Sequence, residues 1–130
     1  TFDIGDDEME FGVGIHGEPG RKREKIQPSK TIVGNILDAI LDNLKPENNE
    51  KTLLFVNGMG GTPLTELYLV YDDACQILQS KGVEVSRSLV GNYCTSLEMQ
   101  GASITLLKFD EEILKNWDAP VHTAAMRWGM

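Results

Sequence analysis

Histidine and cysteine are scarce in this 130-residue sequence, with two of each. A structural zinc site takes four Cys or His ligands at close spacing. Cys75, Cys94, His16 and His122 are too scattered to supply one, so no metal is expected. The cysteines read as reduced thiols of a cytoplasmic protein, Cys75 in a helical pattern and Cys94 at a strand end. No apolar run approaches the roughly 20 residues that span a bilayer, so no membrane partner is expected. Basic residues are few as well: 12 Lys and Arg against 20 Asp and Glu leave a net charge of −8. Binding a phosphate backbone needs a cationic surface, which argues against nucleic acid as the main partner. The one basic run, Arg21-Lys22-Arg23 with Lys25, is interrupted by Glu24 and reads as a solvated loop, with docking of an acidic partner as the lesser alternative. The opening TFDIGDDEMEF lacks a basic region followed by an apolar stretch, so no signal peptide is expected. An initiator methionine is lacking too, and a chain that opens on Thr1 is expected to be a fragment or an excised domain.

What is present is an ordinary globular composition, 41% apolar and 25% charged, enough for one domain with a real core. Residues 1–9 read as a polar, linker-like lead-in. Glu10 to Ile15 alternates around Phe11, Val13 and Ile15, which predicts a strand, with Gly12 and Gly14 leaving room for another backbone or a ligand. His16-Gly17-Glu18-Pro19-Gly20 ends it as a turn. Ser29 to Leu44 predicts a helix capped by Ser29, with Ile32, Val33, Ile36, Leu37, Ile40, Leu41 and Leu44 on one face and Pro46 as its stop. Thr52 to Val56 is the apolar run of a buried central strand. Asn57 to Gly61 is a glycine-rich turn, and Thr62-Pro63 looks like a cap and first turn of a second helix that runs to about Ser80. Val83 to Tyr93 and Ala102 to Phe109 predict two more strands, with Gly82 ending the second helix. Asp110 caps a short helix through Trp117. The remaining WDAPVHTAAMRWGM has no regular period. Strands alternating with helices predict an α/β domain with a mixed sheet flanked by helices, the segments around Tyr93 and Ile104 pairing antiparallel.

Three places carry candidate chemistry. His16 follows a glycine-lined strand, where an imidazole can act as base, nucleophile or metal ligand; a turn histidine bonded to its own loop is the plain alternative. Its ring is expected at a strand end, exposed toward an open face, with the start of the second helix on the same side. Asn57-Gly58-Met59-Gly60-Gly61-Thr62-Pro63 puts backbone amides at a helix start, as phosphate sites do. It matches neither GxGxxG nor a P-loop, so a tight turn is favoured over phosphate or partner contact. Tyr93-Cys94-Thr95-Ser96 offers a thiol and two hydroxyls but no histidine near in sequence to activate them, and capping and turn formation account for them. Trp117, Pro120, Trp128 and Met130 suggest apolar anchors, for the domain itself or for an interface.

Four long segments also carry a resemblance: FGVGIHGEPG (Phe11 to Gly20), NGMGGTPLTELY (Asn57 to Tyr68), VGNYCTSLEMQGASITLLK (Val90 to Lys108) and WDAPVHTAAMRWG (Trp117 to Gly129). In that order they resemble the C-terminal half of the substrate-binding subunit of dihydroxyacetone kinases, over nearly the whole chain. The resemblance implies that residues 1–130 are the second of two α/β halves. It implies that His16 forms a covalent hemiaminal with the carbonyl of dihydroxyacetone, with Gly14 and Gly17 beside the substrate. It also implies an N-terminal half of the same subunit that supplies a second histidine and an aspartate, a homodimer of the full subunit, and no cofactor in this fragment. The phosphoryl donor would lie on another domain or subunit: ATP on a fused domain, or a nucleotide-bearing partner recharged by the phosphotransferase system. Such a fragment alone is expected to be inactive as a kinase.

The implied chemistry is sound. Glycerol and dihydroxyacetone have nearly the same size and hydroxyl pattern, and only the ketone accepts a nucleophile. An unprotonated imidazole nitrogen therefore tests the one group that differs, and its other nitrogen is expected to donate to an acceptor that sets the tautomer. Glu18 is close in sequence. Two other functions stand beside the kinase: a non-catalytic dihydroxyacetone-sensing paralogue acting as a transcriptional coactivator, and a dimerisation half with an incidental histidine.

Overall fold

The computed structural model describes residues 4–14, 16–48 and 50–129. Its centre is β3 (Lys51–Gly58), which pairs in parallel with β4 (Glu84–Gly91) on one edge and antiparallel with β5 (Ala102–Lys108) on the other. A parallel neighbour needs a crossover, and α2 (Leu64–Ser80) supplies it between β3 and β4. α1 (Ser29–Leu44) precedes β3, and both helices lie on one face of the sheet. The reason is the side-chain period. On β3, Leu54 and Val56 point to the same face and are fully enclosed, together with Val33 and Leu37 of α1 and Leu67, Ala74 and Leu78 of α2. This is the mixed α/β architecture expected from the sequence.

The opposite face carries Leu53 and Phe55. The Tyr93 ring packs edge-on against Phe55, with centroids 5.8 Å apart. Arg87, the cross-strand neighbour of Leu53, makes two parallel 2.8 Å bonds to Asp118 at the end of α3 (Glu111–Asp118). Asp110 caps α3 as expected, its carboxylate accepting from the Ile113 amide at 2.7 Å. The closing segment pairs Val121 with Trp128 across the short β6 (Val121–His122) and β7 (Arg127–Trp128). There the Trp128 ring meets Trp117 of α3 edge-on at 5.7 Å, so these two aromatics pack within the domain.

Several local expectations are corrected. The first strand, β1 (Glu8–Phe11), begins inside the stretch expected as a lead-in and ends well before Ile15, which lies outside the described residues. Gly12, at φ 77°, turns the chain out of the ladder. The basic run is no loop. Lys22–Lys25 forms β2, antiparallel to β1, with Arg23 on Glu10 at 3.1 Å and Lys25 on Asp7 at 2.8 Å. Opposite charges across the pair do the selecting that apolar alternation does elsewhere. β4 and β5 flank β3 and do not pair with each other; the antiparallel pair is β3 with β5. Pro28 stands at the cap of α1 and Pro63 at the cap of α2, neither helix having a side-chain cap. Ser29 is the first residue of α1, its hydroxyl buried without a partner. The Thr62 hydroxyl instead bridges to both backbone groups of Gly101, at 2.9 Å each.

The end of β3 is built around Asn57, which is 2% exposed. Its Oδ1 accepts from the amides of Tyr93 and Cys94 at 2.9 Å each, and its Nδ2 donates to the Cys94 carbonyl at 2.7 Å. Asn57→Ala would remove three hydrogen bonds made by an enclosed side chain, at a cost of about 1–3 kcal/mol. Chemical denaturation should register that loss, whereas a change below about 0.5 kcal/mol, the range of neutral surface substitutions, would contradict it. Leu54→Ala, at a fully enclosed position, should cost about 2–5 kcal/mol in the same measurement. Leu97→Ala, at a side chain that is 98% exposed, should stay within about 0.5 kcal/mol of the parent.

Candidate functional site

The chain between β1 and β2 forms a loop whose ends are pinned by the hairpin: the Arg21 amide donates to the Phe11 carbonyl at 2.7 Å. Within it, the Gly14 amide donates to the Glu18 carbonyl at 3.2 Å and the Gly17 amide to the Gly14 carbonyl at 3.0 Å. Gly17 sits at φ 81°, which glycine reaches without steric cost. The chain therefore doubles back, and His16 and Glu18 face each other across the turn. His16 Nδ1 lies 3.1 Å from Glu18 Oε1, and the His16 amide donates to Glu18 Oε2 at 3.0 Å. Three contacts hold the Glu18 carboxyl below its ordinary value: its own backbone amide first, then the His16 ring, then the His16 amide. The His16 side chain is 85% exposed, and no hydrogen bond among the described residues engages its Nε2.

His16 is thus exposed as expected, though it stands five residues beyond the end of β1 and not at the strand end itself. The two flanking glycines differ in use. A methyl group at Gly14 would run into the Glu18 carboxylate, so the space there is already filled. Beside Gly17 nothing lies within 4 Å, and that side of the loop is open. The hairpin and the start of α2 border a common groove. Phe11, Gly12, Thr62, Glu66 and Gly101 all line one groove of about 530 Å³ whose floor includes Ile104. His16 lies outside the lining of that groove.

The other two candidate segments serve each other. The Met59 amide donates to Gly101 O at 3.1 Å, the Gly60 amide to Asn92 Oδ1 at 3.1 Å and the Gly61 amide to Met99 O at 3.0 Å. These three loop amides already have acceptors and are not free to hold a phosphate. Gly60, at φ 98°, and Gly61 approach the 96–100 segment so closely that an added methyl on either would lie 2.5 Å from a carbonyl oxygen, of Ser96 or Glu98. The Ser96 hydroxyl donates to the Met59 carbonyl at 2.6 Å, a structural use as expected. Cys94 and Cys75 are both free thiols; burial, first among its causes, pushes the Cys75 thiol up. Among the described residues no group of three or more His, Cys, Asp and Glu is placed to hold a metal ion. Nor is any helix among them long and apolar enough to cross a membrane. Glu18 is the site residue that sequence reasoning did not place, because its approach to the ring depends on the backbone reversal at Gly17.

Comparison with known proteins places this geometry in a family. The Dak1 domain matches residues 1–125. The chain is 41% identical, over 99% of its own length and 43% of the relative's, to the PEP-dependent dihydroxyacetone kinase, dihydroxyacetone-binding subunit DhaK of Escherichia coli (strain K12). It is 48% identical, over 85% of its length and 34% of the relative's, to the dihydroxyacetone-binding subunit DhaK of PTS-dependent dihydroxyacetone kinase 1 of Listeria innocua serovar 6a. A solved structure of the dihydroxyacetone kinase operon co-activator Dha-DhaQ superposes with a TM-score of 0.83 at 36% identity, over 92% of this chain and 38% of that one. The chain therefore spans less than half the length of these relatives. With a domain match over almost every residue and relatives above 40% identity, this chain belongs to the Dak1 domain family.

Proposed function

We propose that this chain captures dihydroxyacetone as a covalent hemiaminal on His16, as the C-terminal half of a substrate-binding subunit in a kinase that forms dihydroxyacetone phosphate. The observation that carries the reading is the exposed His16 ring with Nε2 unengaged, on a loop whose Gly17 side is open. Family membership supports it, since relatives bear the name of dihydroxyacetone-binding subunits. In the step itself, the Nε2 lone pair forms a bond to the carbonyl carbon while the C=O π pair moves onto oxygen. The oxygen takes up a proton and the ring releases one from its other nitrogen, so the adduct is neutral. Glycerol has no carbonyl and cannot enter this step, however well its hydroxyls are matched. Once bonded, the ketone is held by a single fixed atom, which orients its terminal hydroxyl for phosphoryl transfer. The phosphoryl donor and the acid/base groups for that transfer belong, on this reading, to another domain or subunit and to the rest of the protein.

A second reading has its own support in the likeness to a co-activator. There the same capture would report dihydroxyacetone to a transcriptional regulator without turnover.

The test is native mass spectrometry of the full-length protein with dihydroxyacetone and with glycerol. A covalent adduct of one substrate molecule per subunit on His16 should appear with the ketone alone and vanish in His16→Ala. The melting behaviour should move by no more than about 0.5 kcal/mol, as expected for an exposed loop side chain. Retention of the adduct in His16→Ala would assign capture to another residue. Adduct formation without phosphoryl transfer, in the presence of the donor subunit or ATP, would select the sensing reading over the kinase.

A further inference from the structure

We propose that Glu18 is the positioning residue for His16: its two carboxylate oxygens hold the imidazole in the Nδ1–H tautomer and so leave the lone pair on Nε2. The proposal rests on the capture reading above and deepens it. Its basis is the paired contact, with one Glu18 oxygen 3.0 Å from the His16 amide and the other 3.1 Å from His16 Nδ1. The backbone amide can only donate, and an ionised carboxylate can only accept. The amide therefore fixes the rotation of the carboxylate about its last bond, and that rotation aims the second oxygen at the ring. A ring nitrogen facing an acceptor must carry the hydrogen. The nitrogen left with a lone pair is then Nε2, the one turned to solvent.

The loop is shaped for this contact. A side chain at Gly14 would occupy the place of the carboxylate, and the positive φ of Gly17 is what brings residue 18 back against residue 16. The bonds to the Glu18 carboxyl also keep it ionised over the neutral range, so that it remains a pure acceptor. The same carboxylate has a second use as the adduct forms. When Nε2 bonds to the carbonyl carbon, the ring becomes cationic and the former carbonyl oxygen anionic. Glu18 faces the Nδ1–H at that moment, offsets the ring's charge, and receives or passes to water the proton that Nδ1 gives up. The oxygen takes its proton from solvent, and the sum is a neutral hemiaminal.

One substitution separates this role from that of a loop brace. Glu18→Gln has the same size, but its amide has one acceptor and one donor end. The His16 amide claims the acceptor, so the NH2 group is turned toward Nδ1, which must then be the unprotonated nitrogen. The hydrogen moves to Nε2 and the nucleophile is lost. The Ser-His-Asp triad shows the scale of such an inversion, where an isosteric amide for the carboxylate costs about 10⁴ in rate. For an exposed ring that keeps access to both tautomers in water, the expected loss is smaller, on the order of tenfold or more in capture rate.

The experiment uses the full-length protein and two readouts. Nitrogen-15 spectra of the His16 ring, without substrate, should show hydrogen on Nδ1 in the parent and on Nε2 in Glu18→Gln. The rate of adduct formation with dihydroxyacetone, followed by native mass spectrometry, should fall in the order parent, Glu18→Ala, Glu18→Gln. A brace would give the opposite order for the two variants, because Gln fills the space and Ala does not. A parent ring protonated on Nε2, or a Glu18→Gln protein that captures as fast as the parent, would overturn the positioning role while leaving capture intact. Absence of any His16 adduct in the parent would instead remove the capture reading itself, and the positioning role with it.

Discussion

The burial of β3 organises everything else in this domain. A strand with neighbours on both edges has all its ladder groups satisfied inside the sheet, so its side chains can be apolar on both faces. Leu54 and Val56 on one face and Leu53 on the other are accordingly enclosed. Once β3 is central, the crossover through α2 to the parallel β4 and the antiparallel return of β5 follow from which edge each strand takes. The two helices then have one common surface to cover. Their stripes meet it as a single cluster, and no disulfide is needed to close it.

The same strand also governs the loops beyond its end. Asn57 is nearly as enclosed as the core leucines, yet its amide group is spent on the backbone of Tyr93 and Cys94. Gly60 and Gly61 then run so close to residues 96–99 that two backbones bond directly, a contact that any Cβ would block. By motif alone one segment offers an anion cradle and the other a nucleophile cluster, with a structural turn favoured for each. In three dimensions the two segments bond to each other, Gly61 to Met99 and Ser96 to Met59.

Legibility in the sequence followed the strength of the local signal. The α1 boundaries, Ser29 and Leu44, were readable to the residue because seven apolar side chains repeat at helical spacing and a proline follows. Asp110 caps α3 as its chemistry suggests, whereas Ser29 and Thr62 have the right chemistry but each precedes or follows a proline that takes the cap position. β2 escaped notice because KREK has no apolar residue; its partner strand selects it through charge. β6 and β7, two residues each, are too short to show any period. At the site, the glycines around His16 marked it as exposed. They did not disclose Glu18, whose carboxylate reaches the ring only after the chain reverses at Gly17.

On the proposed reading, that small reversal would serve a kinase subunit and a co-activator alike, the two kinds of protein that this chain resembles. Phosphoryl transfer and transcriptional sensing share a single requirement, the separation of a ketone from polyols of the same size. Hydrogen bonds to hydroxyls cannot supply it, because the competing ligands carry those hydroxyls too. A bond to the carbonyl carbon can, and it needs only one nitrogen of the right tautomer with room in front of it. Both conditions are set by His16, Gly17 and Glu18. On this reading the choice of ketone over polyol needs no residue from the helices of this domain.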